Sequence, residues 1–133
     1  MNRKCLLLKS SKDFGSVLNR HFCIDIENAD EIFASISNKK KKFWEIVERI
    51  LTQRNMYYDH YKSEKISNLS KGISAIRFLG NENIRIYCKE VSTKEGSFFI
   101  VCAKAIKKKV QKNDKRIDGI INSIVTYEYE IIE

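Results

Sequence analysis

The chain has 133 residues, a mass of 15.6 kDa and a formal net charge of +8. That is the length of one domain, and folding at this length removes about two thirds of the unfolded chain's surface from water. With 43% apolar and 32% charged residues, the composition excludes a disordered polymer and a collagen-like chain, and the longest opening apolar run, Leu6–Leu8, excludes a signal-peptide core.

Cys5–Leu8 reads as a short strand within residues 1–19, a stretch read as an N-terminal extension. Phe22, Ile24 and Ile26 alternate with Cys23 and Asp25, the period of a half-buried strand. Asn28 or Asp30 can cap a short helix carrying Ile32, Phe33 and Ile36. Phe43, Trp44, Val47, Ile50, Leu51, Tyr57, Tyr58 and Tyr61 recur at helical spacing, which predicts one long helix over residues 40–62. Gly72 ends that pattern and the period changes to two. Residues 73–79, 83–91 and 98–106 read as three strands joined by turns at Gly80-Asn81 and Gly96, an antiparallel meander. Ile117, Ile120, Ile121, Ile124 and Val125 form a helical stripe, with Asn113 or Asp114 as its N-cap. Tyr127, Tyr129 and Ile131 alternate with Glu128 and Glu130 in a closing extended segment. The expected class is α+β: an antiparallel sheet, N-terminal helices packed on one face and a C-terminal helix, in a single domain over residues 1–133.

Cys5, Cys23, Cys88 and Cys102 show no C-x-x-C spacing, so they are expected to pack as small apolar side chains. Nothing approaches the roughly 18 apolar residues of a membrane span. A reducing cytoplasm is the expected location, and no cofactor or metal is called for.

Charge is unevenly placed. Residues 21–38 carry four acids and no Lys or Arg, followed at once by the tetralysine Lys39–Lys42. Residues 104–116 hold seven basic groups and one acid, and residues 117–133 hold four acids and no base. A basic cluster of this density is an electrostatic footprint for a polyanion. The tetralysine opens a helix, where positive charge opposes the helix dipole.

Alternation along residues 84–89 puts Ile84, Ile86 and Cys88 on one side and Arg85, Tyr87 and Lys89 on the other. Arg77 joins one of these sides according to register, with Glu82 and Glu90 the acids considered for it. The third strand runs into Lys104 and Lys107–Lys109. Cations for phosphates and rings for bases are what single-stranded RNA recognition requires. His21 and His60 are expected to be structural or merely exposed.

These segments also resemble the RelE/HigB group of bacterial type II toxin–antitoxin toxins, in particular the phage-related HigB branch of the RelE/ParE superfamily. The resemblance spans about residues 20–127. It rests on Lys71-Gly72-Ile73-Ser74-Ala75-Ile76-Arg77-Phe78, on Ile84-Arg85-Ile86-Tyr87, and on Lys104-Ala105-Ile106-Lys107-Lys108-Lys109-Val110-Gln111-Lys112. Lys104 stands where the family often has His, Val110 where it has Thr, Asn113-Asp114 where it has Thr-Pro, and Ile76 where an acid often precedes the arginine.

The resemblance implies a RelE-like fold and a metal-independent mRNA endoribonuclease that inhibits translation at the ribosome, held in check by a cognate antitoxin. In that reaction the ribose 2′-OH attacks the adjacent phosphate and the 5′-oxygen leaves. Arg85 suits support of the phosphorane, because a guanidinium matches phosphate oxygens at two points. Lys107 and Lys108 are the acid–base candidates, their basicity lowered by neighbouring cations. Arg77, Tyr87, Lys104, Lys109, Gln111 and Lys112 are the RNA-binding candidates. The alternatives are a ParE-like inhibitor of DNA gyrase, an inactive relative that only binds RNA or an antitoxin, and a general RNA-binding protein.

Overall fold

The computed structural model describes residues 2–64, 72–78, 83–107 and 115–133. Its strands are β1 (Asn2–Ser10), β2 (Arg20–Asp25), β3 (Tyr61–Ser63), β4 (Ile73–Arg77), β5 (Ile84–Ser92), β6 (Phe98–Lys107) and β7 (Glu128–Ile132). Its helices are α1 (Ala29–Ser35), α2 (Lys40–Thr52) and α3 (Lys115–Val125), and a 3-10 turn at Ser11–Phe14 follows β1. The fold is α+β, built on a seven-stranded sheet of order β3-β4-β5-β6-β2-β1-β7.

The sheet is mixed. β4 to β6 form the expected antiparallel meander and β3 adds an unexpected fourth strand to it, but β2 joins β6 in parallel and β7 joins β1 in parallel. Phe22-Cys23-Ile24 is fully buried on both sides. A continuous apolar run of this kind belongs to a strand covered on both faces. Residues 2–10 form a full strand of the sheet rather than an appendage. The turn Gly80-Asn81 and the caps Asn113 and Asp114 lie outside the described residues.

Both faces of the sheet bury side chains. On one, Ile32 of α1, Ile36 just after it, and Phe43, Ile46, Val47, Ile50 and Leu51 of α2 pack on Phe22, Ile24, Ile76, Ile86, Ile100 and Cys102. On the other, Ile117, Ile121 and Ile124 of α3 cover Ile73, Ala75, Tyr87, Ala103 and Ile106. Each such buried aliphatic side chain contributes about 1.5–3 kcal/mol. All four cysteines are buried thiols without a disulfide.

The helix expected over residues 40–62 stops at Thr52. Gln53 turns extended, and the Arg20 guanidinium takes the exposed carbonyls of Ile50 and Arg54, each at 2.7 Å, and that of Gln53. A cation at the negative end of a helix both caps it and complements its dipole. The tyrosines beyond have a different use. Tyr58 and Tyr61 close a tight bridge leading into β3, and the stacked Tyr57 and Tyr61 rings send both hydroxyls to the Glu90 carboxylate at 2.7 and 2.5 Å. Among the described residues no helix is long and apolar enough to cross a membrane.

Candidate functional site at the ends of β4 and β5

Register places Arg77 directly opposite Arg85 across the β4–β5 pair, with Ala75 opposite Tyr87. Ala75 and Tyr87 pack under α3, so both arginines project from that face of the sheet. Like charges directly opposite in a sheet destabilise it. Here a third residue intervenes. Glu64, immediately after β3, is fixed by its backbone N–H donating to the Ile73 carbonyl at 2.8 Å. Its Oε1 accepts from Arg77 Nη2 at 2.7 Å and faces Arg85 Nη1 at 3.4 Å. Exposure grades across the trio, with side chains at 7% for Glu64, 16% for Arg85 and 25% for Arg77. Two guanidinia share one carboxylate oxygen, and the group keeps an excess positive charge.

Among the described residues, two polar atoms in this group are buried without a hydrogen-bond partner, Arg77 Nε and the Tyr87 hydroxyl. Burial, and then the Glu64 charge, push the Tyr87 phenol up from its ordinary value; Arg85 and Arg77 oppose that rise. Unmet donors beside a cationic pair are a departure from the usual full pairing of buried polar groups, and a bound anion would satisfy them.

The remaining sequence candidates are dispersed. Tyr87 is fully buried, so its ring cannot stack on a base; it underlies Arg85 instead. Lys104 reaches the Glu31 carboxylate of α1 at 2.9 Å. Lys107 is exposed, but it lies opposite Ile84, whereas Arg85 lies opposite Ile106. Ile84 belongs to the α1–α2 core and Ile106 to the α3 core. Lys107 therefore leaves the opposite face of the sheet from Arg85, and the expected meeting of the two does not occur. The pleat is the physical reason, because one residue of offset reverses the face. Lys108, Lys109, Gln111 and Lys112 lie outside the described residues.

Lys89, expected beside Arg85, donates to the carbonyls of Val125 at 3.0 Å and Tyr127, closing the end of α3. Burial lowers its pKa. His60 faces the Arg77 carbonyl through Nδ1 at 2.8 Å. His21 sits between Ser10 Oγ at 2.7 Å and Asn19 Oδ1 at 2.8 Å and stacks on Phe99.

Glu64 is the residue that sequence reasoning missed. Of the two acids considered for Arg77, Glu90 is held by Tyr57 and Tyr61, and Glu82 lies outside the described residues. The available signal was weak: an acid trailing a short tyrosine-led strand, two elements from the arginines. No group of three or more His, Cys, Asp or Glu side chains among the described residues is placed to hold a metal ion.

No family model matches the chain, and neither a curated protein nor a solved structure matches it.

Proposed function

We propose that the protein is a RelE/HigB-like toxin, an endoribonuclease that cleaves translated mRNA without a metal ion, with Arg77, Glu64 and Arg85 as its reacting centre. The observation that carries this reading is the shared carboxylate: two arginines converge on one oxygen of Glu64 at the ends of adjacent strands. The chain order supports the RelE-like assignment. A strand, two helices, a three-stranded meander and a helix follow one another between residues 20 and 125, with a three-residue strand, β3, added before the meander.

A phosphodiester entering beside the arginines competes with Glu64 for their N–H groups. Guanidinium binds both anions in the same forked geometry. As the phosphate takes the arginines, the Glu64 carboxylate is released to accept the 2′-OH proton. The 2′-oxygen then bonds to phosphorus, Arg77 and Arg85 support the added negative charge on the phosphorane, and the bond to the 5′-oxygen breaks. The leaving oxygen takes a proton from a lysine of the run Lys108–Lys112, the part of the basic segment that continues β6. The products are a 2′,3′-cyclic phosphate and a 5′-hydroxyl. Lys107 has no part in this scheme, and Tyr87 serves to position Arg85.

A toxin of this kind requires a cognate antitoxin, here a partner presenting an acidic or amphipathic segment to residues 104–116. A second reading, a relative that binds RNA, antitoxin or gyrase without cleaving, is favoured by the departure of Lys107 from the arginine face.

Primer extension on an mRNA translated in a cell extract decides between them. Wild type is expected to produce discrete new 5′ ends, and Arg85→Ala and Glu64→Gln to reduce their rate of appearance by about 100-fold or more. Intact message with wild-type protein would remove the nuclease reading and leave the second one.

A further inference from the structure

Four lysines at the start of α2 work against the helix dipole, so their position needs another source of benefit. Three of them, Lys39, Lys41 and Lys42, line an open cleft of about 490 Å3 whose far wall is His60 and Phe78. Among the described residues of the lining Glu45 is the one acid, against the exposed Lys41 and Lys42. The His60 Nδ1 must donate to the Arg77 carbonyl, because a carbonyl only accepts.

The cleft and the arginine centre occupy the same end of the sheet. Phe78 follows Arg77 directly, and its side chain joins the α1–α2 core. Lys107, opposite Ile84, emerges on that same helix-covered face. The cleft therefore lies around the end of β4 from Arg77 and Arg85, with cations on both faces of one sheet end. Among the described residues, the three-residue β3 is the one strand beyond β4 in the sheet.

We propose that this cleft is a second phosphate subsite, which holds the backbone of single-stranded RNA away from the linkage gripped by Arg77 and Arg85. The identity of the strand rests on the nuclease reading above; the cleft's affinity for it does not. A path around a sheet end selects a flexible strand, since duplex DNA has a persistence length of about 50 nm and does not bend over so short a distance. Ammonium groups supply the phosphate contacts, and the His60 and Phe78 rings supply the wall against which a base rests.

The test is fluorescence anisotropy of a labelled 12-nucleotide RNA with every ribose 2′-O-methylated, so that it binds but cannot be cut. Lys41 and Lys42 are both exposed, and so is Lys40, which belongs to the same run but does not line the cleft. The double variant Lys41→Ala/Lys42→Ala is expected to bind about ten-fold more weakly at 0.1 M salt. Its log–log salt slope should shrink by about 1.4, since each lost phosphate contact on a single strand removes about 0.7. Lys40→Ala should stay within about two-fold of wild type. Equal losses in both variants, no loss in the double variant, no binding by wild type, or equally good competition by duplex DNA would each overturn the subsite. A cleavage assay on unmodified RNA runs in parallel. The expected binding pattern with no cleavage would keep the cleft and discard the nuclease reading; cleavage without the binding pattern would do the reverse.

Discussion

Among the histidines, His21 is held at both ring nitrogens in a half-buried position. Nδ1 and Nε2 meet Ser10 and Asn19, and burial lowers the imidazole pKa from its ordinary 6.5. The unfolded chain then binds a proton at His21 more readily than the folded one. Its contribution to stability is complete above about pH 6.5 and is lost as the pH falls from there toward the lower folded value. Thermal melts from pH 7.5 to pH 5 should show a decline that His21→Asn flattens; an identical decline in the variant would assign the acid sensitivity elsewhere. The same scale shows what could be read from the chain alone. Arg77 and Arg85 were legible because a strand period and a family-like motif both mark them. That Glu64 joins them was not, because its position follows from the register in which β3 pairs with β4, and residues 61–63 carry a helical rather than a strand-like spacing. Tyr87 was misassigned for a related reason. Alternation gives its side of the sheet correctly, but not that α3 seals that side.

At the scale of elements, the far edge of the sheet is tied by one carboxylate. Asp25, fully buried at the end of β2, accepts from Arg3 of β1 at 2.7 and 3.0 Å and from the Tyr129 hydroxyl of β7 at 2.6 Å. It also takes the backbone N–H of Glu27 at 2.9 Å. The Arg3 guanidinium lies over the Tyr127 ring, 4.4 Å from its centroid. The bond to Asp25 raises the Arg3 pKa, and burial followed by that carboxylate raises the Tyr129 phenol. Removing one partner of such a group strands the others in a dry site. Asp25→Ala is expected to cost about 3 kcal/mol in urea unfolding and to speed amide exchange over residues 128–132. Unchanged exchange there would mean that backbone pairing alone holds β7. Residues 2–10 were read as an extension because no local pattern marks a parallel partner at the opposite terminus. The end of α2 was missed in the same way: Tyr57, Tyr58 and Tyr61 keep helical spacing, but Arg20, some thirty residues earlier, claims the carbonyls that would have continued the helix.

At the scale of the whole molecule, the glutamates of β7 lie against Arg3 and Lys4 of β1 at one edge of the sheet, while Arg77, Arg85, Lys107 and the α2 lysines gather at one end of β4, β5 and β6. A cluster of this kind draws a polyanion to the β4–β6 end. Helix, strand and meander order were legible because each is written in a local period. The mixed pairing of the sheet and the opposed faces of Arg85 and Lys107 were not, because both depend on how distant segments meet. The reaction proposed for the Arg77–Glu64–Arg85 centre is tested most directly by the chemistry of its product ends. Mass spectrometry of RNA fragments released by wild-type protein during translation should find 2′,3′-cyclic phosphates paired with 5′-hydroxyls, formed about 100-fold more slowly, or slower still, by Glu64→Gln or Arg85→Ala. Fragments ending in 3′-hydroxyl and 5′-phosphate, or cyclic ends formed equally by those two variants, would contradict it.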